Sequence, residues 1–253
     1  MRCSAYAGRV NDSSTPPPAE LPSLDAPLPE GDEKGRSVQV MFDTIAPRYD
    51  LVNRIMTFRL DVRWRRLALE SLRLASGALV LDLATGTGDF CRELGERGHA
   101  SVGADFSFGM LANARTSAPL VQADGMVMPF ATGAFDAATC GFALRNFVDL
   151  QMVFDELGRV VKPGGRIALL DASAPDNKVA AAGHGLYFGK VVPFVGGLLS
   201  DKQAYGYLPR SLAYLPPRDE LLSMLAAAGF VDVRHEQLTL GAAQLITGQR
   251  SEQ

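Results

Sequence analysis

Carboxylates at Asp82, Asp89, Asp105 and Asp124 are interleaved with the small-residue turn Thr85–Gly88, a spacing that can hold a nucleotide-like ligand. The stretch VLDLATGTGDF (80–90) reads as strand, glycine turn and helix. Gly86 and Gly88 open a GxGxxG pattern, but its third position is Cys91, so the dinucleotide fingerprint is incomplete. Electrostatics separates the candidates further. A pyrophosphate on a helix N-terminus needs free N–H donors and no competing anion, whereas Asp82 and Asp89 flank this turn. S-adenosylmethionine (SAM) carries an ammonium and a sulfonium, which flanking carboxylates favour, and the open backbone of Thr85, Gly86, Thr87 and Gly88 admits its methionine part closely. Asp89 also suits the first turn of a helix through the macrodipole. Asp105, followed by Phe106, ends the next strand and can accept both ribose hydroxyls, or else cap the helix that starts near Phe108. Asp124 with the Gly125 N–H can read an adenine edge, or serve as a turn residue. Together these residues select SAM.

Those residues need a scaffold that brings successive strand ends to one edge. Short apolar runs predict strands at 79–83, 101–105, 119–123, 135–141 and 165–171. Helical patterns fall at 89–97, 108–116, 149–161 and 217–228, and two closing strands at 230–237 and 242–248. Strands alternating with helices indicate a doubly wound, largely parallel sheet. Only TLGA separates the last two strands, too short for a parallel crossover, so that pair is antiparallel. The expectation is an α/β, class I SAM-dependent methyltransferase (Rossmann-like) fold: a seven-stranded, mostly parallel sheet with one antiparallel strand. Trp64 reads as a helix-packing anchor.

The 253 residues carry a net charge of −3 and are 47% hydrophobic, enough for one core and without the basic footprint of a nucleic-acid binder. Residues 1–36 are rich in Pro, Ser, Gly and acid and read as a disordered tail. From Ser37, Val38, Met41, Phe42 and Ile45 form an amphipathic stripe that Pro47 ends. Residues 37–75 are therefore taken as an N-terminal helical lid, and 76–253 as the core, with a substrate-side insertion at 175–216. Cys3, Cys91 and Cys140 are scattered, as are the three histidines, so no metal site is expected and a reducing cytoplasm fits. No apolar run reaches the ~18–20 residues of a membrane span.

Beyond the generic SAM loop, FDTIAPRYDLVNRIMTFRLDVRWRR, GFALRNFVD, RVVKPGGRIALLDAS and YGYLPRS resemble the ubiquinone/menaquinone biosynthesis C-methyltransferases, the UbiE/MenG group, over roughly 37–250. Asp171 stands where that family usually has Glu, and Gly141 where some members place a serine against the cofactor. The resemblance implies methyl transfer from SAM to a ring carbon of a polyprenylated quinol, demethylmenaquinol first and the demethylated methoxy-benzoquinol second. It implies cofactor contacts at Thr87, Asp105, Asp124 and Gly125, and a Tyr49 region that lids the cofactor. Arg145 and Asn146, after the fourth strand, are expected at the quinol oxygen. Arg145 would stabilise a phenolate rather than act as a base, because a guanidinium stays protonated; an ion pair is its alternative role, and a helix N-cap is that of Asn146. The arginines at 54, 59, 63, 65, 66 and 73 and the apolar stretch HGLYFGKVVPFVGGLLS suggest peripheral contact with the inner face of the cell membrane. Two other readings stay open: a methyltransferase of a small soluble acceptor, and a SAM-binding subunit without catalysis.

Overall fold

The computed structural model describes residues 27–175 and 210–252, together with positions 177, 183, 185, 187, 206 and 207. Seven strands form one sheet: β1 Leu79–Leu83, β2 Ala100–Asp105, β3 Leu120–Gln122, β4 Phe135–Gly141, β5 Val161–Ala172, β6 Phe230–Leu238 and β7 Ala243–Arg250. Their order is β3-β2-β1-β4-β5-β7-β6. The β1, β2, β3, β4 and β5 pairings are all parallel, and β7 runs antiparallel to both β5 and β6. The predicted fold class and the closing hairpin are thus both observed.

Both faces of the sheet are covered, which is why its strands are apolar on consecutive rather than alternate residues. Leu81 and Leu83 of β1 pack toward helices α6 (Leu150–Val160) and α7 (Arg218–Ala227), through Val153, Phe154, Leu157, Leu221 and Leu225. Val80 faces the other way, toward α3 (Leu60–Ser71) and α4 (Asp89–Glu96), through Trp64, Leu69, Leu72, Phe90 and Leu94. Trp64 is the anchor its apolar bulk implies, and its indole N–H also donates to the Thr239 hydroxyl.

A third core lies under the N-terminal helices. Met41 and Ile45 of α1 (Gly31–Ile45) pack with Val52 and Met56 of α2 (Tyr49–Met56), with Met110 of α5 (Phe108–Ala112), and with Tyr207. Here the sequence reading needs correction. Residues 31–36 are not tail but the first turns of α1, with Asp32 and Glu33 at its N-terminus, where the helix dipole favours acid. Residue 34 shows the physical reason: the Lys34 ammonium is buried, donates to the Phe147 carbonyl at 2.6 Å and lies 3.9 Å from the centre of the Tyr214 ring. That tertiary clamp holds a start whose local composition is too polar to show it. Residues 1–26 and most of the proposed 175–216 insertion, including most of HGLYFGKVVPFVGGLLS, lie outside the described residues. Among the described residues no helix is long and apolar enough to cross a membrane.

Candidate active site

The chain order of the sheet reverses between β1 and β4, and a crevice opens at the carboxyl ends of the strands beside such a reversal. A cavity of about 480 Å3 occupies it, within the usual range for small-molecule sites. Of the predicted residues, Tyr49, Gly86, Asp105, Phe106, Asp124, Gly125, Gly141 and Asn146 line this one cavity. Asp82, Thr87, Gly88 and Arg145 do not, and each has another task.

Asp82 is buried beneath the turn, where one carboxylate oxygen accepts from Thr85 and the other from Thr139. Burial pushes its carboxyl up to about 6, against the pull of those hydroxyls. It holds the turn from below through the Thr85 hydroxyl. Gly88 precedes α4 with φ +83°, and a Cβ there would stand 2.7 Å from Thr116, so its job is local packing. Gly86, with φ +57°, has nothing within 4 Å of a built Cβ: a side chain would project into open space at the cavity wall. The Thr87 hydroxyl donates to Asp50, tying the turn to α2. Asp89 is drawn away from any cationic ligand. Burial raises its carboxyl, but Arg65, Arg92 and Arg54 outweigh that and hold it below the usual range.

Asp105 is the best-prepared acceptor. Its Oδ2 accepts from the Gly86 N–H at 2.7 Å and its Oδ1 from the Ser107 N–H at 2.9 Å, leaving a lone pair on each oxygen for two neighbouring hydroxyls. Burial nevertheless raises its carboxyl above the ordinary value, with the two N–H donors pulling the other way. Asp124 is a turn residue, its Oδ1 accepting from the Met126 N–H at 2.9 Å, and it also lines the cavity. The cap of α5 is Ser107, not Asp105. Two non-glycine residues, Ala84 (φ +53°) and Phe142 (φ +60°), adopt left-handed backbone at the ends of β1 and β4, both in the cavity wall. Strained backbone of this kind persists where the surroundings over-determine it. Residue type gives no hint of either.

Asn146 and Arg145, adjacent in a 3-10 turn, behave oppositely. Asp149 caps α6, so Asn146 is not a helix cap. Asn146 is buried, lines the cavity, and among the described residues neither its amide nitrogen nor its oxygen has a hydrogen-bond partner. A buried amide left open in this way is costly unless a ligand meets it. Arg145 instead pairs with buried Asp171, donates to Ser211 at 3.0 Å and to the Phe142 carbonyl at 3.0 Å. Its placement as an ion pair matches the alternative weighed for it, with Asp171 as the acid. Tyr49 is half-buried, and desolvation raises its hydroxyl to about 12, so at neutral pH it is a donor and not a base.

Helix α1 supplies a wall of the cavity through Asp32, Arg36, Val38, Gln39 and Phe42. Its apolar stripe from Val38 was legible, but Asp32 and Arg36 fell in the stretch read as tail, and no residue of the helix was expected at the site. Among the described residues no group of His, Cys, Asp or Glu is arranged to hold a metal.

The profile of the ubiE/COQ5 methyltransferase family matches residues 30–250. A demethylmenaquinone methyltransferase of Thermus thermophilus is 45% identical over 220 residues, covering 83% of this chain and all of that protein. A ubiquinone/menaquinone biosynthesis C-methyltransferase UbiE of Geotalea daltonii is 40% identical over 230 residues, covering 86% and 98%. Among solved structures, the [4+2]-cyclase SpnF superposes with a TM-score of 0.64 at 16% identity, over 89% of this chain and 98% of that one, a likeness of fold alone.

Proposed function

The chain belongs to the ubiE/COQ5 methyltransferase family, and from that premise we propose how its residues carry methyl transfer to a ring carbon of a prenylated quinol. It is a SAM-dependent C-methyltransferase of quinone biosynthesis. The residues present fit SAM. Asp105 offers paired acceptors to a ribose, Asp124 and Gly125 an edge for adenine, and Gly86 leaves room that a Cβ would fill. When bound, SAM supplies an electrophilic methyl on a sulfonium.

The chain's own part is to make a carbon nucleophilic and to exclude water. Loss of a proton from a quinol hydroxyl places charge on the adjacent unsubstituted ring carbon. That carbon forms the new C–C bond, and its own hydrogen then leaves as a proton to restore the aromatic ring. Asn146 and Tyr49 are the groups set to hold the ring oxygen as its charge develops, since both line the cavity and Tyr49 keeps its proton. Arg145 is a positioning residue: its pairing with Asp171 and Ser211 fixes the turn that aims Asn146. Helices α1 and α2 close the cavity from above, which favours a lid that keeps water out. The prenyl tail implies peripheral work at a membrane, with the cytoplasmic side as the site of action.

The observation that carries the reading is the open amide of Asn146 in the cavity shared with Asp105. The test is transfer of a labelled methyl from SAM to demethylmenaquinol and to the demethylated methoxy-benzoquinol under reducing conditions. Methylated naphthoquinol is the expected product. Product from neither quinol, despite SAM binding, overturns the reading.

A further inference from the structure

The lid helix α2 has two faces. Val52 and Met56 enter the lid core and Tyr49 reaches the cavity wall, while Leu51, Ile55 and Phe58 are 58%, 43% and 74% exposed. Leu51 and Ile55 lie one turn apart on α2, and Phe58 follows in the left-handed turn (φ +51°) beyond its end, its ring 6.0 Å from that of Tyr187. The exposed arginines that follow are Arg59, at the N-cap of α3, and Arg63 and Arg66 on α3, the last 3.6 Å from Glu93. Arg59 and Arg63 have no ion-pair partner among the described residues. The acids of this stretch are turned inward: Asp50 accepts from Thr87, and Asp61 is buried against Arg65. Exposed apolar side chains followed in the chain by two arginines without an acidic partner among the described residues complement an anionic bilayer surface, where apolar side chains enter the headgroup boundary and cations meet phosphates.

We propose that the protein docks on anionic lipid through Leu51, Ile55 and Phe58, with Arg59 and Arg63 of the following segment meeting the headgroups. This rests on the prenylated-quinol reading and gives it a place. Tyr49 of the same helix lines the cavity, so docking through α2 sets the site next to the lipid surface. It also replaces the sequence-based arginine set, because Arg65 is not available: it is buried between Asp61 and Asp89.

The test is co-sedimentation of the full chain with phosphatidylcholine vesicles and with vesicles containing phosphatidylglycerol. Binding is expected on the anionic vesicles and to weaken with salt. Phe58→Ser should lower it about tenfold, and Arg59→Gln or Arg63→Gln about fivefold each. Leu51→Ser checks the helix independently of the Phe58 turn. Wild-type protein that ignores both vesicles, or variants that bind as well as wild type, overturns the proposal. So does a lipid-free dimer that Phe58→Ser abolishes, which would make a second copy the occupant. Methylation of a short-chain demethylated quinol in solution keeps the two readings apart. It is expected to be unchanged in Phe58→Ser. Wild-type turnover in solution with no wild-type binding to anionic vesicles overturns the docking surface alone, whereas no wild-type turnover on any quinol overturns the function.

Discussion

The floor and the cover of the cavity are fastened by different physics. The floor is the carboxyl edge of β1, β2 and β4, where Asp105 is held by two backbone N–H groups and Asp82 is sealed under the turn by two threonine hydroxyls. The cover is α1 and α2, packed through its own small apolar core onto Met110 of α5 and tied by polar contacts from Asp43 to Ser107 and the Gly109 N–H, Lys34 to the Phe147 carbonyl, and Asp50 to Thr87. Groups locked by sheet and backbone are preorganised for binding, whereas an element held by a handful of contacts opens at lower cost than the fold unfolds. On that basis we propose that cofactor recognition belongs to the floor, and access and water exclusion to the cover.

Asn146→Ala breaks that division most sharply, because it removes the open polar group without touching the floor. We expect kcat to fall by about 100-fold while SAM affinity, read by calorimetry, stays within a few-fold. An equal loss in both would move Asn146 into the cofactor site. Asp105→Ala should do the reverse. Losing an acceptor prepared for two hydroxyls should weaken SAM by about 100-fold, and calorimetry with S-adenosylhomocysteine reads it independently of chemistry.

Asp43→Ala loosens the cover alone. Two hydrogen bonds to α5 are lost, so KM for SAM should rise by about tenfold with kcat nearly kept, and protease cutting near Ala46–Arg48 should speed up. An unchanged KM would mean the cover plays no part in holding the cofactor. The smallest effect is that of Lys34→Met, read as stability against pH. Burial lowers the Lys34 ammonium from 10.5 to about 8. Below pH 8 the ammonium is charged in both folded and unfolded chains, and its burial cost is fully present. Between pH 8 and 10.5 the unfolded chain binds more protons, so the wild type should gain stability relative to Lys34→Met as pH rises. Parallel urea midpoints for the two proteins across that window would remove the clamp from the account.

Much of the floor was legible in the residues. A carboxylate at the end of β2 and another after β3 mark the same edge in any doubly wound sheet, because parallel connections return every strand in the same direction. The apolar runs at 79–83 and 135–141 became strands at those bounds. The cover was less legible. Helix α1 starts at Gly31 within a polar, glycine-containing stretch, since what stabilises its first turn is a lysine reaching Phe147, 113 positions away. Nor could sequence distinguish Asp82 from Asp105, or Arg145 from Asn146, as each pair combines similar chemistry at similar places.

The sequence alone determined the sheet, the nucleotide-type ligand and the family, because period, turn residues and motif spacing are local properties of the chain. Tertiary structure alone decided which polar groups stay open. Asp82 and Arg145 are spent on Thr85, Thr139, Asp171 and Ser211, while Asp105 and Asn146 keep capacity facing the cavity. Whether a hydrogen-bonding group is free depends on partners brought from distant positions, and only the folded arrangement supplies them.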